Sequence, residues 1–96
     1  MAELAFDAEL WQWEAQDGWF FVTLPEDVSD DVRLTSGPPR GFGSVRVEAS
    51  IGRTTWRTSV FPDKRSGCFV LPVKRAVRRA EDIEEGDVVR VELELL

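Results

Sequence analysis

Apolar and polar residues alternate in several short runs along this 96-residue chain. Leu4, Phe6, Ala8 and Leu10 are interleaved with Asp7 and Glu9, and Val45, Val47, Ala49 and Ile51 with Ser44, Arg46, Glu48 and Ser50. Trp56, Thr58 and Val60 likewise face away from Thr55, Arg57 and Ser59, and Val89, Val91, Leu93 and Leu95 from Arg90, Glu92 and Glu94. A period of two is that of a strand with one face buried and one wet. Trp19 to Leu24 is apolar on both faces and predicts a strand deep in a sheet. Cys68 to Leu71, stopped by Pro72, predicts a short strand in which Cys68 serves as a small buried hydrophobe. Six strands follow.

The punctuation between these runs agrees with them. Gly52-Arg53 suits a two-residue type II′ turn, so the runs around it should form a hairpin, and Asp17-Gly18 is a type I′ signal. Pro25 can open one to two helical turns over Pro25 to Arg33, with Glu26 and Asp27 at the positive end and Val28 and Val32 on one face. Leu34 to Phe42, with Gly37-Pro38-Pro39-Arg40-Gly41, should be the longest loop. Phe61 to Gly67 reads as a turn, and Gly86-Asp87 as another. Val73, Ala76, Val77 and Ala80 recur at helical spacing and predict a short amphipathic helix whose wet face carries Lys74, Arg75, Arg78 and Arg79.

Six strands and two short helices in fewer than a hundred residues favour a mainly β fold: a small, closed, six-stranded, Greek-key-like barrel, one domain over residues 1–96. The expected core is Phe6, Leu10, Phe21, Val22, Val47, Ile51, Trp56, Val70, Val91 and Leu93. Trp11 and Trp13 fall on the face opposite Leu10, where they would be either a binding platform or a sheet face covered by other chain.

The net charge of −6 hides a segregation. Residues 1–31 hold nine acids and no base, residues 32–79 hold eleven bases against Glu48 and Asp63, and the remainder is acidic again. Either acidic terminal strands neutralise a basic middle across the sheet, or the middle forms a functional basic surface. No apolar run is long enough for a membrane span, and Met1-Ala2-Glu3-Leu4 lacks a basic stretch before an apolar one, so a soluble, cytoplasmic protein is expected.

The order of several pieces resembles a known family. Phe6 to Leu10, Gly18-Trp19-Phe20-Phe21-Val22 with Leu24-Pro25, Gly43-Ser44-Val45 to Ile51-Gly52, Thr55-Trp56 and Thr58-Ser59 come first. Gly67 to Leu71-Pro72-Val73-Lys74, Val77-Arg78-Arg79-Ala80 and Ile83 to Val89 complete the set. Together they resemble the bacterial domain-of-unknown-function family nineteen-oh-five over nearly the whole chain. The resemblance implies a small closed barrel with Greek-key connections and supplies neither an activity nor site residues.

Candidate chemistry is sparse. There is no histidine and a single cysteine, which removes the usual general base, an internal disulfide and an ordinary N/S zinc site, and no phosphate-loop or dinucleotide motif is present. No cofactor or metal is expected. A metal-independent enzyme would need Ser59, Ser66 or Cys68 beside Lys64 or Lys74, or Asp63 or Asp87 as a base shifted by burial, and none of these carries a catalytic spacing.

The leading expectation is therefore a non-catalytic binding module for a small, anionic ligand or a protein partner. The candidate ligand-binding residues are Trp56, Arg57, Lys64, Arg65, Lys74, Arg75, Arg78 and Arg79, with the Lys64-Arg65 loop and the helix face converging at one end of the barrel. Glu81, Asp82, Glu84 and Glu85 just downstream offer the competing account, in which they neutralise the helix. A single-stranded nucleic-acid-binding barrel using the basic middle is the alternative, opposed by the acidic total. A homo-oligomer contacting through Trp11 and Trp13 is a third possibility.

Overall fold

The computed structural model describes residues 4–15, 18–35 and 43–96. Its elements run β1 (Leu4–Gln12), β2 (Phe20–Thr23), α1 (Glu26–Thr35), β3 (Val45–Ile51), β4 (Thr54–Pro62), β5 (Phe69–Pro72), α2 (Arg75–Glu81) and β6 (Val88–Leu95). The six strands close into an antiparallel barrel in the order β1-β2-β5-β4-β3-β6. Because β2 leads to β3 past β5 and β4, and β5 leads to β6 past β4 and β3, the connections are of Greek-key type and each carries a helix.

The ladders differ in length. β3 and β4 pair from Val45↔Val60 to Ile51↔Thr54, and β1 and β6 from Leu4↔Leu93 to Glu9↔Val88. β4 meets β5 only at Phe61↔Val70 and Pro62↔Phe69, and β5 meets β2 from Thr23↔Val70 to Phe21↔Pro72. Two of those positions are prolines, which lack the N–H a ladder needs. The β3–β4 turn has the expected form: Gly52 takes φ +59°, whereas Arg53 keeps a negative φ. The Glu81 carboxylate closes this turn, accepting from Thr54 Oγ1 at 2.6 Å and from the Arg53 amide at 3.3 Å.

Each strand points its alternate apolar residues inward, and Leu10, Val22, Val47, Val60, Leu71, Val91 and Leu93 are fully buried. α1 closes one end of the barrel. Val28 and Val32 join the core from it, and buried Ser29 donates to the Leu24 carbonyl at 3.3 Å and accepts from the Phe69 amide at 3.0 Å. Arg33, from the last turn, lies over the Phe69 ring and donates to the Gly67 carbonyl. α2 closes the other end with Val73 and Val77, beside the β3–β4 turn that Glu81 holds.

Several expectations need correction. Phe21 is half-buried on the outer face, because Phe20 and Val22 take the inward positions of β2 and the period of two turns Phe21 outward. Val70 is buried as expected, though on the outer side of the wall whose inner side Phe69 and Leu71 fill. It is covered in a cleft shared with Trp11, Trp13, Phe21 and Phe61. Of the apolar positions assigned to the second helix, Val73 and Val77 are buried whereas Ala76 and Ala80 are exposed, since two turns present only a narrow stripe to the core. Cys68 precedes β5 and is only partly buried.

α1 continues to Thr35, taking Leu34 and Thr35 out of the expected loop; the rest of that loop, residues 36–42, and Asp17 lie outside the described residues. Acidic terminal strands do pair with strands of the basic middle, β6 with β3 and β2 with β5, but without ion pairs between them among the described residues. Glu94 stands opposite Glu48, Asp7 pairs with Arg90 at 3.4 Å between β1 and β6, and Glu48 serves Arg57 within the β3–β4 hairpin.

Candidate functional site

The α2 end of the barrel holds an open cleft of about 610 Å³. Its walls come from four places. β4 contributes Trp56, Arg57 and Thr58; β2 and the residues before it contribute Gly18, Trp19 and Phe20. Gln12 closes β1, and the segment from Pro72 into α2 adds Val73, Lys74, Arg75 and Arg78. Trp56 points into the barrel and is 9% exposed, so only its edge meets the cleft. Trp19 stands at the rim, 49% exposed.

Local sequence sets this arrangement. Pro72 ends β5, Val73 stays in the core and donates its amide to the Phe20 carbonyl, and the chain then enters α2 with Lys74 at the helix boundary. Lys74 and Arg75 are exposed. Arg78, one turn on, folds back: its Nε donates to the Val73 carbonyl at 3.2 Å and its guanidinium lies 3.8 Å from the centre of the Phe20 ring. A guanidinium stacked on an aromatic face is held without losing its charge. Burial, and secondarily the charge of Arg75, hold its pKa below the ordinary arginine value.

The charge balance is one-sided. Among the described residues, the cleft lining contains four cationic side chains and no carboxylate. The ion pairs of the described residues are Arg33–Asp30, Arg57–Glu48 and Arg90–Asp7, so Arg57 is shared with Glu48 at 3.5 Å and the α2 cations have no carboxylate partner. Of the acids expected to neutralise the helix, Glu81 is engaged at the β3–β4 turn, and none of Glu81, Asp82, Glu84 and Glu85 is in an ion pair with Lys74, Arg75, Arg78 or Arg79 among the described residues.

Of the eight candidate residues, five meet here: Trp56, Arg57, Lys74, Arg75 and Arg78. Arg79 is exposed on α2 outside the lining. Lys64 and Arg65 do not converge with the helix. They follow β4, whose first residue Thr54 bonds to α2, and the eight residue steps to Pro62 carry the chain about 27 Å away along the strand. Arg65 instead lines an outward cleft of about 520 Å³ with Trp11, Trp13, Phe21 and Phe61.

Trp19 and Phe20 were missed as site residues because a doubly apolar run reads as interior. The available signal was alternation within it, which sets Trp19 and Phe21 outward if Phe20 and Val22 point in. Trp19 belongs to an aromatic row along the outer face. Its ring packs edge-on to Trp13 at 6.3 Å and tilted to Phe21 at 6.2 Å, and Phe21 lies 5.1 Å from Trp11. Trp11 is fixed in turn by its Nε1–H donating to Thr23 Oγ1 at 2.9 Å. Trp11 of β1 thus packs on Phe21 and Trp13, one residue past the strand, on Trp19, rather than standing free.

Among the described residues no group of three or more possible ligands is placed to hold a metal ion, and no helix is long and apolar enough to cross a membrane. None of the curated proteins compared with the chain matches it. The family described as a domain of unknown function, DUF1905, matches residues 6–93, from β1 into β6, and the chain belongs to that family.

Proposed function

We propose that the protein is a non-catalytic binding module that takes a small anionic ligand in the cleft beside α2. The observation that carries this reading is the set Arg57, Lys74, Arg75 and Arg78 around one opening with no carboxylate among the described residues lining it. Bringing like charges together costs free energy that a bound anion returns, and arginine forks match carboxylate or phosphate oxygens two at a time. The described residues of that lining include no serine, cysteine or carboxylate, so binding rather than turnover suits it.

Thermal unfolding in phosphate or citrate at constant ionic strength tests the reading. The parent protein should gain melting temperature with anion concentration, reaching about 2.7 kcal/mol of stabilisation at a hundredfold excess over Kd. Lys74→Ala with Arg75→Ala, both exposed, should abolish the gain, and Arg79→Ala, outside the cleft, should retain it. A parent whose melting temperature ignores both anions overturns the proposal.

A further inference from the structure

We propose that the anion taken by this cleft is a nucleoside phosphate, its base laid on Trp19 and its phosphate held by Lys74, Arg75 and Arg57. The inference rests on the anion-binding reading above and adds the chemical class. The first observation is charge: four cations line one opening and, with Arg57 shared with Glu48, three have no carboxylate partner among the described residues, more than a single carboxylate needs and in keeping with a phosphate that carries close to two charges. The second is Trp19. It is half exposed at the rim of the same cleft, yet Trp13 and Phe21 hold its ring at 6.3 and 6.2 Å. A ring already fixed by neighbours offers a stacking face with little ordering left to do when a planar base arrives.

The third observation is size. A cleft of about 610 Å³ lies within the range of sites that enclose whole small molecules, and a lone phosphate would leave most of it to water. Gln12 and Thr58, the neutral polar side chains of the lining, suit sugar hydroxyls or base edges between the two ends of such a ligand. The same chemistry is presented by a free mononucleotide and by the terminal nucleotide of a single strand. The chain's net charge of −6 works against following a longer phosphate backbone.

Titration calorimetry without added metal separates the possibilities, using adenosine and uridine monophosphates, the two nucleosides, inorganic phosphate and a 5′-phosphorylated tetranucleotide. A mononucleotide should bind at least tenfold more tightly than phosphate or its nucleoside, and the tetranucleotide should gain at most a few-fold if only its terminal residue is read. Trp19→Ala should reduce nucleotide binding to the level of phosphate without changing phosphate binding, and Trp19→Phe should restore part of it. Phosphate binding as tightly as the nucleotides, or Trp19→Ala leaving nucleotide affinity unchanged, overturns the nucleoside phosphate assignment while the anion-binding reading stands. Failure of phosphate and nucleotides alike to bind overturns both.

Discussion

Among the described residues Ser29 is the buried polar side chain, and its removal should be felt at a distance of forty residues. Its hydroxyl accepts from the Phe69 amide at 3.0 Å and donates to the Leu24 carbonyl at 3.3 Å, at full burial. Phe69 opens β5 and its carbonyl accepts from the Leu24 amide at 2.9 Å, so the serine ties α1 to the start of β5 and to the residue that follows β2. Ser29→Ala leaves the Phe69 amide buried without an acceptor, at a cost of about 1–3 kcal/mol. Alanine's better helix propensity returns a few tenths of a kcal/mol. The net loss should be about 1–2 kcal/mol, which for a domain this size lowers the melting temperature by about 5–15 °C. Urea denaturation should show a lower midpoint with an unchanged slope. Amide exchange at Phe69 should quicken more than at Val47, in the long hairpin. A Ser29→Ala protein as stable as its parent, with Phe69 equally protected, would refute the assigned role.

Two further changes probe other parts of the barrel. Trp56→Ala removes the largest side chain of the core and should cost about 3–5 kcal/mol in denaturant titration; a loss below about 1 kcal/mol would mean the ring is not packed as described. Gly52→Ala places a side chain at a positive φ and its Cβ against the Glu81 carboxylate, so it should destabilise by about 1–3 kcal/mol, with Glu81→Ala in the same chain relieving only the steric part; a neutral Gly52→Ala would dismiss the turn geometry.

Strand positions were legible wherever one face is wet, as in β1, β3, β4 and β6, because alternation then marks the inward side unambiguously. It fails where both faces are apolar. Phe21 reads as interior because alternation in a doubly apolar run leaves open which set points in, and a core position then looks the same as an outer face covered by Trp11 of another strand. Ser29 was equally silent, for its partner at Phe69 is fixed only once α1 caps the barrel. The cationic half of the candidate site could be read from the helix and hairpin segments, but not which basic residues share an opening. Lys64 and Arg65 differ from Lys74 and Arg75 only in which end of β4 and β5 they flank. That is a property of topology, invisible to local spacing.

The uneven ladders give the barrel a soft side. β1, β6, β3 and β4 are joined by long runs of pairs, whereas β5 is held to its neighbours over short ones that include Pro62 and Pro72. Fluctuations short of global unfolding should therefore begin by detaching β5 and β2 as a unit, with α1 anchored to it through Ser29. The cleft straddles that boundary: Trp56 and Arg57 stand on the firm side, Trp19, Phe20 and Pro72 on the soft one. A ligand lodged there would act as a clasp, drawing on its binding energy to suppress the least costly opening of the molecule.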